Sequence, residues 1–197
     1  MSDFQSEFLK RLNARYVVSA APQQVDDFEH DVKTDEGNAK MAAWLRTRTA
    51  TKLADIPGVG TMILYDTAIV TLSPDASRVL SLVTFEHTTF NGQRAVLLKH
   101  LWKDSAVKAP LASDALFQHL VPKFKIVGLG EQHTLDGEHW AKRRTEEALK
   151  NGYHVYLTNE HGTLFEAHTF KEVLQRPMWG KGVNYRKRLI VLTVDEL

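Results

Sequence analysis

A chain of 197 residues can form one well-buried domain or two very small ones, and the length favours one. Hydrophobic residues at 43% and charged residues at 25% exclude a disordered or low-complexity chain, and 25 Lys plus Arg against 24 Asp plus Glu exclude a surface built wholly to hold nucleic acid or an anionic membrane. The lack of cysteine removes disulfide scaffolds, thiol nucleophiles and Cys-based metal sites, so any chemistry falls to carboxylates and to the nine His, eight of which lie between His87 and His168.

In chain order, Phe4, Phe8, Leu9 and Leu12 at helical spacing behind Ser2 predict a short amphipathic helix, so that residues 1–14 form an N-terminal helical extension. Arg15–Ala20 reads as a strand. Residues 22–38 are acidic and broken by Pro22 and Gly37, with Val25, Phe28 and Val32 spaced for one exposed helix. Gly37-Asn38 then opens a helix over Ala39–Leu53 carrying Met41, Trp44 and Leu45. The period turns from helical to extended at the turn Ile56-Pro57-Gly58-Val59-Gly60, which reads as a helix-to-strand connection rather than as half of a phosphate-gripping helix-hairpin-helix. Strands Thr61–Tyr65, Thr67–Leu72, Val79–Phe90 and Arg94–Trp102 follow as a meander, the last two joined by the hairpin signal Asn91-Gly92.

After Asp104 helix and strand alternate: helix Pro110–Val121, strand Phe124–Leu129, helix Asp136–Lys150 closed by Asn151-Gly152, strand Tyr153–Thr158 and strand Arg188–Val194. Residues 171–187 read as an irregular basic connection, where Arg176, Lys181, Arg186 and Lys187 alternate with Trp179 and Tyr185. That loop, with Arg188, is where a protein or anionic partner would meet the chain. The expected fold is one α/β (α+β) domain over residues 15–197, with a mixed, largely antiparallel central sheet flanked by helices. No apolar run reaches the length of a membrane span and the N-terminus lacks a basic start followed by an apolar core, so the expectation is a cytoplasmic chain without a membrane partner.

This order of elements resembles the GNAT N-acyltransferase fold over about Arg15–Val194, most closely where LLKHLWKDSAVKAPLASDALFQHL stands for the central strand, acyl-CoA loop and following helix, and ALKNGYHVYL for the segment ending in a Gly-aromatic pair. The resemblance implies a central strand that splays from its neighbour. Backbone N–H groups at the next helix's start would hold the pyrophosphate of acetyl-CoA, here with Ser105, Ala106, Val107, Lys108, Ala109 and Ala112. Two departures stand out: Pro110 removes one N–H from that loop, and Ala148 occupies the position where many such enzymes carry a Tyr acid. Glu86 and His100, on meander strands, are the candidate bases for deprotonating a protein or small-molecule amine. The equally bland reading is a solvated strand carboxylate and a satisfied histidine. Compact divergent proteins of this type also occur in bacteriophages, which implies, as an alternative, a non-catalytic structural or interaction protein acting in the host cytoplasm or the virion.

A second enzyme class resembles the chain at two short motifs. Glu86-His87-Thr88-Thr89 and Glu160-His161-Gly162-Thr163 are similar to the two His-x-Thr/Ser tripeptides of two-histidine phosphoesterases, which implies His87 and His161 as acid and base with Thr89 and Thr163 on phosphoryl oxygens. Alternatively Gly162 closes a hairpin that sets His154 opposite His168. A facing pair without a third ligand reads as a surface pair, so no metal is expected.

Overall fold

The computed structural model describes residues 32–90, 92–129, 135–158, 163–176 and 189–197. The expected N-terminal helix, the strand at 15–20 and residues 22–31 of the acidic 22–38 segment lie outside these residues, as do residues 177–187 of the basic connection and Arg188. The architecture is α+β. Among the described residues nine strands are hydrogen-bonded in the order β1-β2-β3-β4-β5-β6-β9-β7-β8. The pair β5–β6 is parallel, and the other registered neighbours are antiparallel. Contacts cluster the described residues into two compact units: 86–98 with 120–197, and 32–85 with 99–119.

The second of these begins with α1, Asp35–Leu45, whose start is set by Thr34: its hydroxyl accepts the Gly37 N–H at 3.0 Å and so satisfies one of the orphan donors of the first turn. This corrects the expectation of a helix over 39–53 at both ends. Gly37 and Asn38 do not open the helix but lie buried inside its first turns, and the chain leaves the helix after Leu45 to form the strand β1, Thr51–Ile56. The reason lies in pairing. β1 folds back on β2, Gly60–Leu64, from Thr51↔Leu64 to Ile56↔Gly60, so the Pro57-Gly58-Val59 segment is a strand-to-strand hairpin turn with Gly58 at φ +71°.

β3, Ala68–Leu72, pairs with β2 and with β4, Val79–Phe90, whose sequence limits match the expected strand. β5 spans Gln93–Lys103. Met41, Ala42 and Leu45 of α1 pack on Val70, Leu72, Val79 and Leu82, with Trp102 partly buried against the same cluster. The four-residue periodicity that buries Met41 and Leu45 leaves Trp44 turned outward, its ring stacked under the Arg48 guanidinium at 4.3 Å.

A helical stretch follows β5, which we call α2: an α turn Leu111–Asp114, a π turn Ala115–Leu120 and an α turn Val121–Phe124. It ends on Lys125 in the left-handed conformation (φ +64°), so β6 begins at Ile126, not at Phe124.

In the first unit, α3 (Leu135–Lys150) leads to β7 (His154–Thr158), β8 (Leu164–Ala167), α4 (Phe170–Gln175) and β9 (Ile190–Thr193). β6 (Ile126–Leu129) and β9 are buried along their whole length, as near-continuous apolar strands with neighbours on both sides should be. Phe90, Ala95, Leu97, Ile126, Tyr156, Leu189 and Val191 form this unit's core.

The helix α4 corrects the expectation that residues 171–187 are irregular throughout. Thr169 accepts the Glu172 N–H at 3.3 Å, and the Glu172 carboxylate reaches back to the His168 N–H at 2.8 Å. These reciprocal bonds resemble a capping box.

Candidate functional site

The strand β4 alternates after Phe85, so Glu86 and Thr88 share a half-buried face, whereas His87 and Thr89 share the exposed one. The His87 ring meets Phe124 edge-on at a centroid distance of 5.6 Å. All of these belong to the first unit, as does Thr163, exposed at the entry to β8. His161, the other half of the two-histidine motif, lies outside the described residues.

His100 belongs to the second unit, half-buried on β5, where its backbone N–H donates to the Thr84 hydroxyl at 3.1 Å. The expected cofactor loop lies in the same unit. Its entrance is organised by Asp104, a residue that the sequence reading passed over. The Asp104 N–H donates to Leu80 O at 2.9 Å, its Oδ1 accepts the Ala106 N–H at 2.9 Å, and its carbonyl accepts the Val107 N–H at 3.1 Å. The Lys103 ammonium donates to the Val107 carbonyl. Two of the donors expected to hold pyrophosphate are therefore used within the chain, and a carboxylate sits beside them.

Fitting an acyl-CoA pyrophosphate to these residues gives a divided answer. The segment 105–107 does not suit it, because the Asp104 charge repels an anion there. The first turn of α2 does suit it: Pro110 provides no side-chain cap, the N–H groups of Leu111 and Ala112 have no acceptor inside the helix, and exposed Lys108 stands just before them. Any such contact is confined to Lys108, Ala109, Leu111 and Ala112.

Arg78, also unforeseen, links this loop to α1. Its Nη2 lies 3.2 Å from Asp35 Oδ1 and 3.7 Å from Asp104 Oδ2. An aspartate directly after a strand is a turn-forming signal that could have flagged Asp104; nothing local to Arg78 marks it, because its partners are distant in sequence.

The register Val155↔Ala167 leaves His154 and His168 one step beyond the last registered pair of the β7–β8 ladder, and the expected closure at Gly162 lies outside the described residues. His154 Nδ1 is 2.6 Å from Glu166 Oε1, and the His168 N–H is taken by Glu172. Among the described residues no group of three or more His, Asp or Glu is arranged to hold a metal ion, and no helix is long and apolar enough to cross a membrane. Of the basic connection, only Arg176 and the residues before it are described, with the Arg176 guanidinium stacked 4.1 Å from the Phe165 ring centroid. No family model matches this chain, and neither does any curated protein.

Proposed function

We propose that the chain is a divergent GNAT-type protein that transfers an acyl group from acyl-CoA to an amine. The observation that carries this reading is the parallel β5–β6 pair: its two strands are joined through α2 and register at only two positions, Val96↔Val127 and Leu97↔Gly128. A short parallel pairing followed by a helix start with unused N–H groups is the combination that the resemblance implies for binding an acyl-CoA.

In the reaction the amine nitrogen attacks the thioester carbonyl carbon. A C–N bond forms, the C–S bond breaks, the amine proton passes to Glu86 or His100, and the thiolate leaves to take up a proton as free CoA. A base in that role contributes about 10²- to 10⁴-fold, so Glu86→Gln or His100→Ala should lower the rate by that order. Calorimetric titration with acetyl-CoA is the direct test: binding is expected in the micromolar to low millimolar range, and no heat at millimolar acetyl-CoA would sink the proposal.

One observation favours a second reading, in which the fold serves as a non-catalytic interaction or structural protein, of a bacteriophage among other sources. Asp104 occupies donors that a pyrophosphate would need. On that reading Glu86→Ala and His100→Ala leave function intact, whereas substitutions in the 171–187 connection do not.

A further inference from the structure

We propose that a cleft in the second unit binds a zwitterionic, amino-acid-type molecule, a binding site that stands apart from the acyl-transfer reading. The cleft has a volume of about 300 Å³ and is lined by Lys33, Asp35, Arg78, Trp102, Lys103 and Asp104 among others. That volume is at the small end for ligand pockets and suits a molecule the size of one amino acid.

The lining carries both signs of charge. Arg78 sits between Asp35 at 3.2 Å and Asp104 at 3.7 Å, with Lys33 and Lys103 on the same walls. The Asp35 side chain is 91% exposed and that of Arg78 50%, so their mutual attraction in water is weak and its partners exchange at little cost. A ligand carboxylate can take the planar guanidinium of Arg78 while the ligand ammonium takes the released Asp35 carboxylate, and the swap conserves charge-assisted hydrogen bonds.

Asp104 differs. Its side chain is only 22% exposed and its Oδ1 is fixed by the Ala106 N–H, so it keeps a carboxylate in the cleft among the cations Lys33, Arg78 and Lys103, and both signs of charge stay available to a ligand. Trp102 packs one side on the core of this unit and also lines the cleft, so it offers apolar surface to the ligand's side chain.

The test presents each standard amino acid singly at millimolar concentration in saturation-transfer NMR, followed by calorimetry on the binders. At least one should bind, its C-terminal amide and its N-acetyl derivative should each bind at least roughly tenfold more weakly, and Arg78→Gln and Asp35→Asn should each cost about the same factor with an unchanged circular dichroism spectrum. Absence of binding by every amino acid overturns the assignment. So does an N-acetyl derivative that binds as tightly as its parent, since the cleft would then read only the anion. Acetyl-CoA is titrated separately: amino-acid binding without acetyl-CoA binding defeats the acyl-transfer reading and leaves the cleft, and the converse defeats the cleft alone.

Discussion

Asn38 shows how much one polar side chain can decide. It is 2% exposed, donates to the carbonyls of Val32 at 3.1 Å and Val79 at 3.0 Å, and accepts the Val79 N–H at 2.8 Å, so it ties the entry of α1 to the first residue of β4. Asn38→Leu keeps the branched shape, with bulkier methyl ends, but strands the buried Val79 N–H. The expected loss is about 2–3 kcal/mol, read from the urea midpoint; a loss below roughly 0.5 kcal/mol would show that the three bonds are worth no more than their exchange with water. Asp75 acts on pH instead. The Ser73 hydroxyl at 2.6 Å is the largest cause that lowers its carboxyl, followed by the Ser77 side chain and the Ser77 N–H at 3.1 Å, and together they bring it from 3.8 to about 2. A folded-state value below the unfolded one means that the turn's contribution is complete above pH 3.8 and is lost as pH falls toward 2. Carbon-detected NMR should place the Asp75 midpoint near 2, and Asp75→Asn should remove this part of the acid sensitivity; a midpoint near 3.8 would mean that the turn's hydrogen bonds do not form.

At the level of elements, the hairpin β1–β2 turns on two glycines with different jobs. Gly58 has φ +71° and open space around it, so Gly58→Ala costs only the left-handed backbone, about 1 kcal/mol. A Cβ on Gly60 would lie 1.9 Å from the Leu72 carbonyl oxygen, so Gly60→Ala must part β2 from β3 at Thr61↔Leu72. We expect about 2–4 kcal/mol from that change, and thermal melts of the two variants that coincide would refute the distinction. The same region shows what can be read from residue order. β4 was legible to its limits because Val79–Phe90 is rich in β-branched and aromatic residues and ends at Asn-Gly, and β3, β7 and α3 were legible within a residue or two. The passage from α1 to β1 was not, because Arg46–Leu53 mixes the helix formers Arg, Ala, Lys and Leu with three Thr, and pairing with β2, a tertiary event, decides that its second half is extended. The capping pattern Thr169-x-x-Glu172 was present in the sequence and would have identified α4. Glu86 and His100 could be chosen by residue type and strand position. The Asp35–Arg78–Asp104 cluster could not, because it is assembled from three separated segments.

For the whole molecule the governing feature is that two strands are divided between the compact units. Residues 79–85 of β4 and 99–103 of β5 count with one unit, and residues 86–90 and 93–98 of the same strands with the other. Unfolding either unit alone would require both of these continuous strands to break in mid-element, between residues 85 and 86 and between 98 and 99. That state is costly, so the chain should unfold in one cooperative step despite its two cores. Two substitutions test this from opposite sides. Asn38→Leu weakens one unit, and Thr158→Val weakens the other, because the Thr158 hydroxyl accepts the buried Leu189 N–H at 2.7 Å and its loss costs about 1–3 kcal/mol. In urea each variant should move the entire transition to lower denaturant with an unchanged slope, and circular dichroism should coincide with the fluorescence of the four Trp, of which Trp44 and Trp102 fall in one unit and Trp140 in the other. A variant that splits the transition, with only one limb moving, would show that the shared strands break at the boundary and that the two units fold as separate domains.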